Sequence, residues 1–108
     1  MTDSGAARVR ALNDHARTTL TGCRVLVTQG VAQLGRTSSI LRLVRQYDAF
    51  TPDNDPYGEH DFGAFEFQGH QLFWKIDTYD VDLEMASPDP ADPSVTVRVL
   101  TVMLAEEY

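Results

Sequence analysis

The chain has 108 residues, of which 43% are hydrophobic and 23% charged, with a formal net charge of −7 at pH 7. These values are typical of one globular domain, residues 1–108, and exclude collagen-like, low-complexity and wholly disordered chains. We expect no membrane span, because no apolar run approaches the roughly 18 residues that a span needs. We expect no signal peptide, because residues 1–10 contain no apolar segment. With Cys23 as its only cysteine the chain cannot form an internal disulfide, so we expect a cytoplasmic protein.

The charge is distributed unevenly along the chain. Residues 1–45 hold seven arginines against two aspartates, whereas residues 46–94 hold twelve acidic residues against Lys75 alone. Such asymmetry indicates a protein partner with a basic surface rather than direct nucleic-acid binding, because an acidic surface repels phosphates and no aromatic residues interleave the arginines. The alternative is that the two segments interleave in space and their charges compensate.

The first half of the chain predicts two helices and a strand. Apolar residues at helical spacing predict a helix over residues 4–21, which Gly22 ends. The β-branched run 23–28 predicts a strand, and residues 29–35 predict a connection bounded by glycines. A second helix is predicted from Thr37 or Ser38 to Tyr47.

The middle of the chain predicts a loop and a β-hairpin. Residues 51–61 are rich in Pro, Asp, Asn and Gly, which is typical of a loop. Aromatic-rich strands over residues 62–67 and 71–78 flank a tight turn at Gln68-Gly69-His70. Residues 79–85 alternate as well, which predicts an extended or additional strand.

The last segment allows two interpretations. Asp92 as N-cap and Pro93 at the first helical position favour a helix over residues 94–107, whereas alternating valines allow a fourth strand. With the helix, the element order is α-β-α-β-β-(β)-α. We therefore expect an α+β fold with a small, mainly antiparallel sheet packed by about three helices on one face.

The 53–61 loop combines carboxylates with His60, and hard cations prefer oxygen ligands of this kind. Its spacing does not fit an EF-hand, because Tyr57 replaces one ligand and Ala64 stands at position twelve. We expect no metal and no cofactor. The alternative to a metal site is a structural loop whose Asp and Asn side chains bond their own backbone, with His60 tying it to the core.

We expect no catalytic residues, and two alternatives to a binding function stay open. The first is a metal-dependent hydrolase that uses the 53–61 loop with Lys75 and Asp77, with Glu66 opposite them across the hairpin. A Glu66–Lys75 pair is equally typical of an ordinary cross-strand ion pair. The second is a homodimeric toxin–antitoxin or regulatory module that associates through the aromatic hairpin. Cys23 begins an apolar strand and is expected to be structural.

The acidic residues are the candidate partner-binding set. Residues 77–92 are acidic with no base among them, and alternation predicts that the acids of 80–84 face away from Val81, Leu83 and Met85. Together with the acids of the loop, the set comprises Asp53, Asp55, Glu59, Asp61, Asp77, Asp80, Asp82 and Glu84.

Four segments resemble a known family: DNDPYGEHDFGAF, FWKID, SPDPADP and LTVMLAEEY. They are similar to short uncharacterised proteobacterial proteins known as domain of unknown function 3768, and the resemblance extends from Arg10 to Tyr108. It implies no established activity and no catalytic residue. The resemblance implies that the protein is encoded by an accessory gene of the kind found near conjugation and anti-restriction genes. That setting implies a role in counteracting host defence. We therefore expect a small acidic inhibitor, an anti-restriction or anti-CRISPR factor, that blocks a nucleic-acid-binding cleft of a host complex.

Overall fold

The computed structural model describes residues 4–108. Three α-helices and four strands follow one another as α1 (Ser4–Thr19), β1 (Arg24–Val27), α2 (Gln29–Gln33), α3 (Thr37–Gln46), β2 (Phe62–Phe67), β3 (His70–Tyr79) and β4 (Val97–Leu104). Single 3₁₀ turns over Pro93–Val95 and Ala105–Glu107 flank the last strand. The α+β class with about three helices is confirmed, although the order of the elements differs from the predicted one.

The sheet has the strand order β1-β4-β3-β2. Strand β3 pairs antiparallel with both β2 and β4, and β1 pairs parallel with β4. The predicted hairpin is confirmed, and its turn consists of Gln68 and Gly69 alone, because His70 already belongs to β3. Both turn residues have positive φ, 51° and 84°, which is the geometry of the two-residue turns that match strand twist.

The predicted 29–35 connection is wrong in part, because it contains helix α2. The Thr28 side chain accepts a hydrogen bond from the Val31 N–H and so caps this helix. Val31 is completely buried in the core. In the sequence Thr28 is the last residue of the β-branched run 23–28. It was therefore assigned to the strand, and its role as the N-cap of α2 was missed.

The predicted strand over residues 79–85 is wrong beyond Tyr79, where β3 ends. The Asp80 side chain accepts hydrogen bonds from the Glu84 and Met85 N–H groups, and this bonding turns the chain back on itself. The acidic and apolar side chains of residues 81–85 therefore do not lie on opposite faces of a strand, and all of them are exposed.

The predicted C-terminal helix over residues 94–107 is also wrong. Asp92 does cap, and Pro93 does stand at the first helical position, but the helix they begin is one 3₁₀ turn. The residues that follow form β4, which lies between β1 and β3 and is buried on both faces. A central strand buried on both faces is apolar at consecutive positions, so its pattern is hard to distinguish from that of a buried helix.

The helices cover one face of the sheet. The core beneath them is formed by residues of α2, α3, β3 and β4: Val31, Ile40, Val44, Leu72, Trp74, Ile76, Leu100 and Val102. The opposite face holds Phe62 and Phe73, whose rings are in contact with each other and with Tyr108. Among residues 4–108, no helix has both the length and the apolar character needed to cross a membrane.

Candidate partner-binding surface

The fold brings two acidic segments to one end of the sheet, where β2 begins and β3 ends. The Ile76 N–H donates to the Asp61 carbonyl at 2.9 Å, so the end of the 53–61 loop lies beside the last residues of β3. Asp77 is close enough to Asp61 to affect its ionisation, and Asp80 follows directly after β3. We call this region, from Asp55 to Asp61 and from Asp77 to Glu84, the acidic end.

Two carboxylates of the acidic end, those of Asp61 and Glu59, have raised pKa values. Burial raises the pKa of Asp61, and the charges of Asp55 and Asp77 raise it further, while its own backbone and His60 act in the opposite direction. Burial likewise raises the pKa of Glu59, with added contributions from Asp61 and Asp55. Like charges disfavour ionisation of their neighbours. The structure therefore holds these groups together against their mutual repulsion.

The candidate residues differ in accessibility. Asp55 is largely occupied: its carboxylate accepts the His60 N–H, approaches His60 Nε2 at 3.5 Å, and is only 8% exposed. Asp77 forms an ion pair with Lys75. By contrast, Asp82 and Glu84 are exposed, and so is Asp53, which lies further out on the loop. Within residues 4–108, the carboxylates of these three residues accept no hydrogen bond.

His60 connects the loop to helix α1 and to the core. Its Nδ1 lies 2.9 Å from an Asp14 carboxylate oxygen, and its ring stacks on Phe50 with 3.7 Å between ring centroids. Within the loop, the Asn54 side chain accepts the Thr51 N–H and donates to the Ala49 carbonyl. These contacts are the ones expected of a loop whose Asp and Asn side chains bond their own backbone, with His60 tying it to the core.

Polar side chains of α1 donate hydrogen bonds to the backbone of the 53–61 loop, and the sequence analysis did not predict them. Arg10 donates to the Gly58 carbonyl at 2.9 Å, and Asn13 donates to the Glu59 carbonyl at 3.0 Å. The other side of the Asn13 amide accepts from Arg98 Nε at 2.7 Å, inside the helix–sheet interface. The arginine-rich segment thus does interleave in part with the acidic one. The available signal was that Asn13 shares one helix face with the buried Val9 and Ala16.

Two residues of the hydrolase alternative, Lys75 and Asp77, form a pair with each other. Lys75 Nζ lies 3.0 Å from Asp77, and this hydrogen bond is the main cause of the raised Lys75 pKa. The expected Glu66–Lys75 pairing is wrong: Glu66 stands opposite Gln71, and Lys75 opposite Phe62. Between residues 4 and 108, no group of three or more His, Cys, Asp or Glu side chains is placed to hold a metal ion.

Cys23 lies partly buried just before β1, and its Sγ is 3.7 Å from the Ala16 carbonyl. Burial raises the pKa of the thiol. A raised pKa leaves little thiolate at neutral pH, and the thiolate is the nucleophilic form. This position is typical of a structural cysteine.

The fold and this surface define a small acidic α+β protein with carboxylates concentrated at one end of its sheet. Residues 27–107 match the family described as protein of unknown function, DUF3768, and the chain belongs to that family. This match confirms the family expected from the sequence. Neither curated proteins nor solved structures gave a match to the chain.

Proposed function

We propose that this protein is a small, non-catalytic interaction protein whose acidic end binds the basic surface of a protein partner. The observation that carries the proposal is the concentration of carboxylates at one end of the sheet, where burial raises the pKa of Asp61 and the nearby charges of Asp55 and Asp77 raise it further. Repulsion between like charges opposes folding. Neutralisation by a basic partner would remove that cost.

The chemistry of the acidic end suits a nucleic-acid-binding cleft. Such clefts present lysine and arginine to phosphates, and a surface of ordered carboxylates offers them a competing anion. The protein would then act as an inhibitor that occupies the cleft of a restriction or CRISPR effector complex in the cytoplasm. The net charge of −7 favours fast, salt-sensitive association with such a cleft.

The geometry supports the hydrolase and homodimer alternatives less well. The hydrolase would use Lys75, Asp77 and the 53–61 loop, but Lys75 and Asp77 are paired with each other and Asp55 of the loop is paired with His60. A homodimeric toxin–antitoxin or regulatory module would need self-association of a chain with a net charge of −7. Sedimentation equilibrium separates the homodimer from the acidic inhibitor, because the inhibitor is expected to be monomeric without its partner.

Two pairs of substitutions test the proposal with equal changes of charge. Asp82→Asn with Glu84→Gln neutralises two exposed carboxylates of the acidic end. Glu66→Gln with Glu106→Gln neutralises two exposed carboxylates near the opposite end, where β2 ends and β4 ends. Both double variants carry a net charge of −5 if the formal value of −7 is the reference.

The experiment captures partners on the immobilised wild-type protein from cells that encode it and then measures each purified partner by titration calorimetry over a NaCl series. We expect the acidic-end pair to weaken binding by roughly tenfold and to flatten its salt dependence, because it removes charges from the interface. The control pair should leave the affinity within a factor of about three. Equal affinities for the wild type and the acidic-end pair would contradict the proposed function.

A further inference from the structure

The turn after β3 exposes three large apolar side chains within five residues. Val81 is 60% exposed, Leu83 39% and Met85 71%. The other large apolar side chains found exposed in residues 4–108 lie singly on separate elements: Leu26, Leu43, Tyr57 and Tyr108. Single exposed apolar residues are ordinary on protein surfaces, whereas a contiguous group marks an interaction site.

The backbone of this turn, residues 80–86, is fixed by hydrogen bonds. The Asp80 N–H donates to the Met85 carbonyl at 2.8 Å, and the Asp80 carboxylate accepts the Glu84 N–H at 3.0 Å. Tyr79 and Ala86 form an isolated antiparallel bridge that closes the base of the turn. This bonded framework leaves Val81 and Met85 mostly in solvent and Leu83 partly so, and none of the three packs against the core cluster.

Leu83 occupies the left-handed region at φ 61°. This conformation is unfavourable for a leucine, because it places the Cβ too close to the following carbonyl oxygen. Leu83 nevertheless stays partly exposed, at 39%. The fold thus keeps both a strained backbone and an exposed apolar group at the tip of the turn.

The charge around the turn indicates what would cover it. Asp80, Asp82 and Glu84 alternate with the apolar residues, and residues 76–97 contain no Lys, Arg or His. A second copy would bring two acidic turns together, and a nucleic acid or an anionic membrane would add further negative charge; all three are repelled. A complementary partner surface has an apolar groove with lysine and arginine at its rim.

We infer that the 80–86 turn is the apolar docking element of the acidic end, with Val81, Leu83 and Met85 entering an apolar groove of a protein partner whose basic rim meets Asp82 and Glu84. This inference rests on the proposed function and specifies the kind of partner. The apolar contacts supply affinity that salt does not screen, and the carboxylates supply orientation and rate of association.

The test uses two synthetic peptides of equal length and equal positive charge. One is an amphipathic Lys/Leu helix, and the other has serine at every leucine position. Binding of each peptide to the full chain is measured by fluorescence anisotropy at low salt, and the contact surface is mapped by chemical-shift perturbation. The variants are Val81→Ser with Met85→Ser and, as a matched control, Leu26→Ser with Leu43→Ser, which removes two exposed apolar side chains elsewhere.

We expect the wild type to bind the Lys/Leu peptide at least about tenfold more tightly than the Lys/Ser peptide, because the apolar side chains of the turn become buried. The turn variant should lose this preference while its melting temperature stays unchanged, and the control should keep it. If the Lys/Ser peptide binds but the preference is absent, or persists in the turn variant, the docking inference is wrong and the proposed function stands. If neither peptide binds, the proposed function fails as well. Self-association that the turn variant abolishes would identify a second copy as the occupant and overturn the inference.

Discussion

The indole of Trp74 lies against Gly63, the residue opposite it on strand β2. A Cβ on residue 63 would clash with the indole Nε1 and would lie 2.8 Å from the ring of Tyr47. Trp74 is completely buried and packs edge-on against Tyr47 and Phe50. The absence of a side chain at position 63 is therefore what allows the tryptophan to sit between the sheet and the segment after α3.

Gly63→Ala is expected to destabilise the protein by about 1–3 kcal/mol, because an added methyl group overpacks a filled core. Urea unfolding followed by tryptophan fluorescence measures the change. Gly5→Ala is the matched control, since a Cβ there meets no atom within 4 Å, and it should leave stability unchanged or slightly improved. Equal stability of Gly63→Ala and the wild type would show that the indole is free to shift.

Arg17→Lys is expected to lower the free energy of unfolding by roughly 2 kcal/mol. The buried Arg17 guanidinium donates through Nη1 to the carbonyls of Val44, Arg45 and Tyr47, where α3 ends, and it lies 5.1 Å from the centroid of the Trp74 ring. A lysine ammonium has neither the planar fork nor the stacking surface to replace these contacts.

The matched control for that substitution is Arg42→Lys, at an exposed position of α3. Surface substitutions of this kind usually stay within about 0.5 kcal/mol of the wild type. Urea denaturation of both variants measures the difference. Equal effects of the two substitutions would contradict the role of Arg17 as the group that satisfies the end of α3.

Local patterns were sufficient to predict the hairpin but insufficient for β4. The alternation around Gln68-Gly69 specifies a face for each residue and a turn between the strands, and both are local properties. Strand β4 depends on pairing with β1, more than sixty residues earlier, and with β3. Its apolar residues on both faces and the true Asp92–Pro93 cap before it are equally compatible with a buried helix, so the sequence alone could not decide.

The sequence was sufficient to predict which acidic residues form the candidate surface, but not how they are arranged in space. The acidic residues of the loop and of the segment after β3 were both evident, but their meeting depends on the register that places Asp61 beside Ile76. The alternation over residues 80–85 was misleading, because the Asp80 side chain bonds the backbone in competition with strand pairing. The exposure of Val81 and Met85 followed from that turn and from no pattern in the sequence.

Asp61→Asn is expected to raise the free energy of unfolding at pH 7 by a few tenths of a kcal/mol. The pKa of this carboxyl is raised by burial and by Asp55 and Asp77, so its ionised form opposes folding. The penalty is present above the folded-state pKa and disappears as the pH falls below the unfolded-state value. Thermal unfolding at pH 7 and at pH 3 should therefore show an advantage for Asp61→Asn that vanishes in acid. A lower melting temperature for Asp61→Asn at pH 7 would contradict this assignment of the cause.

Glu107→Gln tests a carboxylate with the opposite shift. Glu107 Oε1 accepts hydrogen bonds from Thr28 Oγ1 at 2.6 Å and from the Leu104 N–H at 2.8 Å, and Oε2 accepts the Gly30 N–H at 3.1 Å. The bond from Thr28 is the main cause of the lowered Glu107 pKa, followed by that from Leu104. These contacts tie the last 3₁₀ turn to the start of α2.

Because the folded-state pKa of Glu107 is lowered, its ionised carboxylate stabilises the fold above the unfolded-state value of about 4.3, and this contribution is lost as the pH falls through the folded-state pKa. We expect the wild type to melt at a higher temperature than Glu107→Gln at pH 6, and the two curves to converge towards pH 3. Calorimetric melting over this pH range provides the measurement. Glu106→Gln removes the same charge without removing these hydrogen bonds, so it should keep the wild-type melting temperature at pH 6. A constant difference between wild type and Glu107→Gln from pH 6 to pH 3 would show that the glutamate acts through packing rather than through its charge.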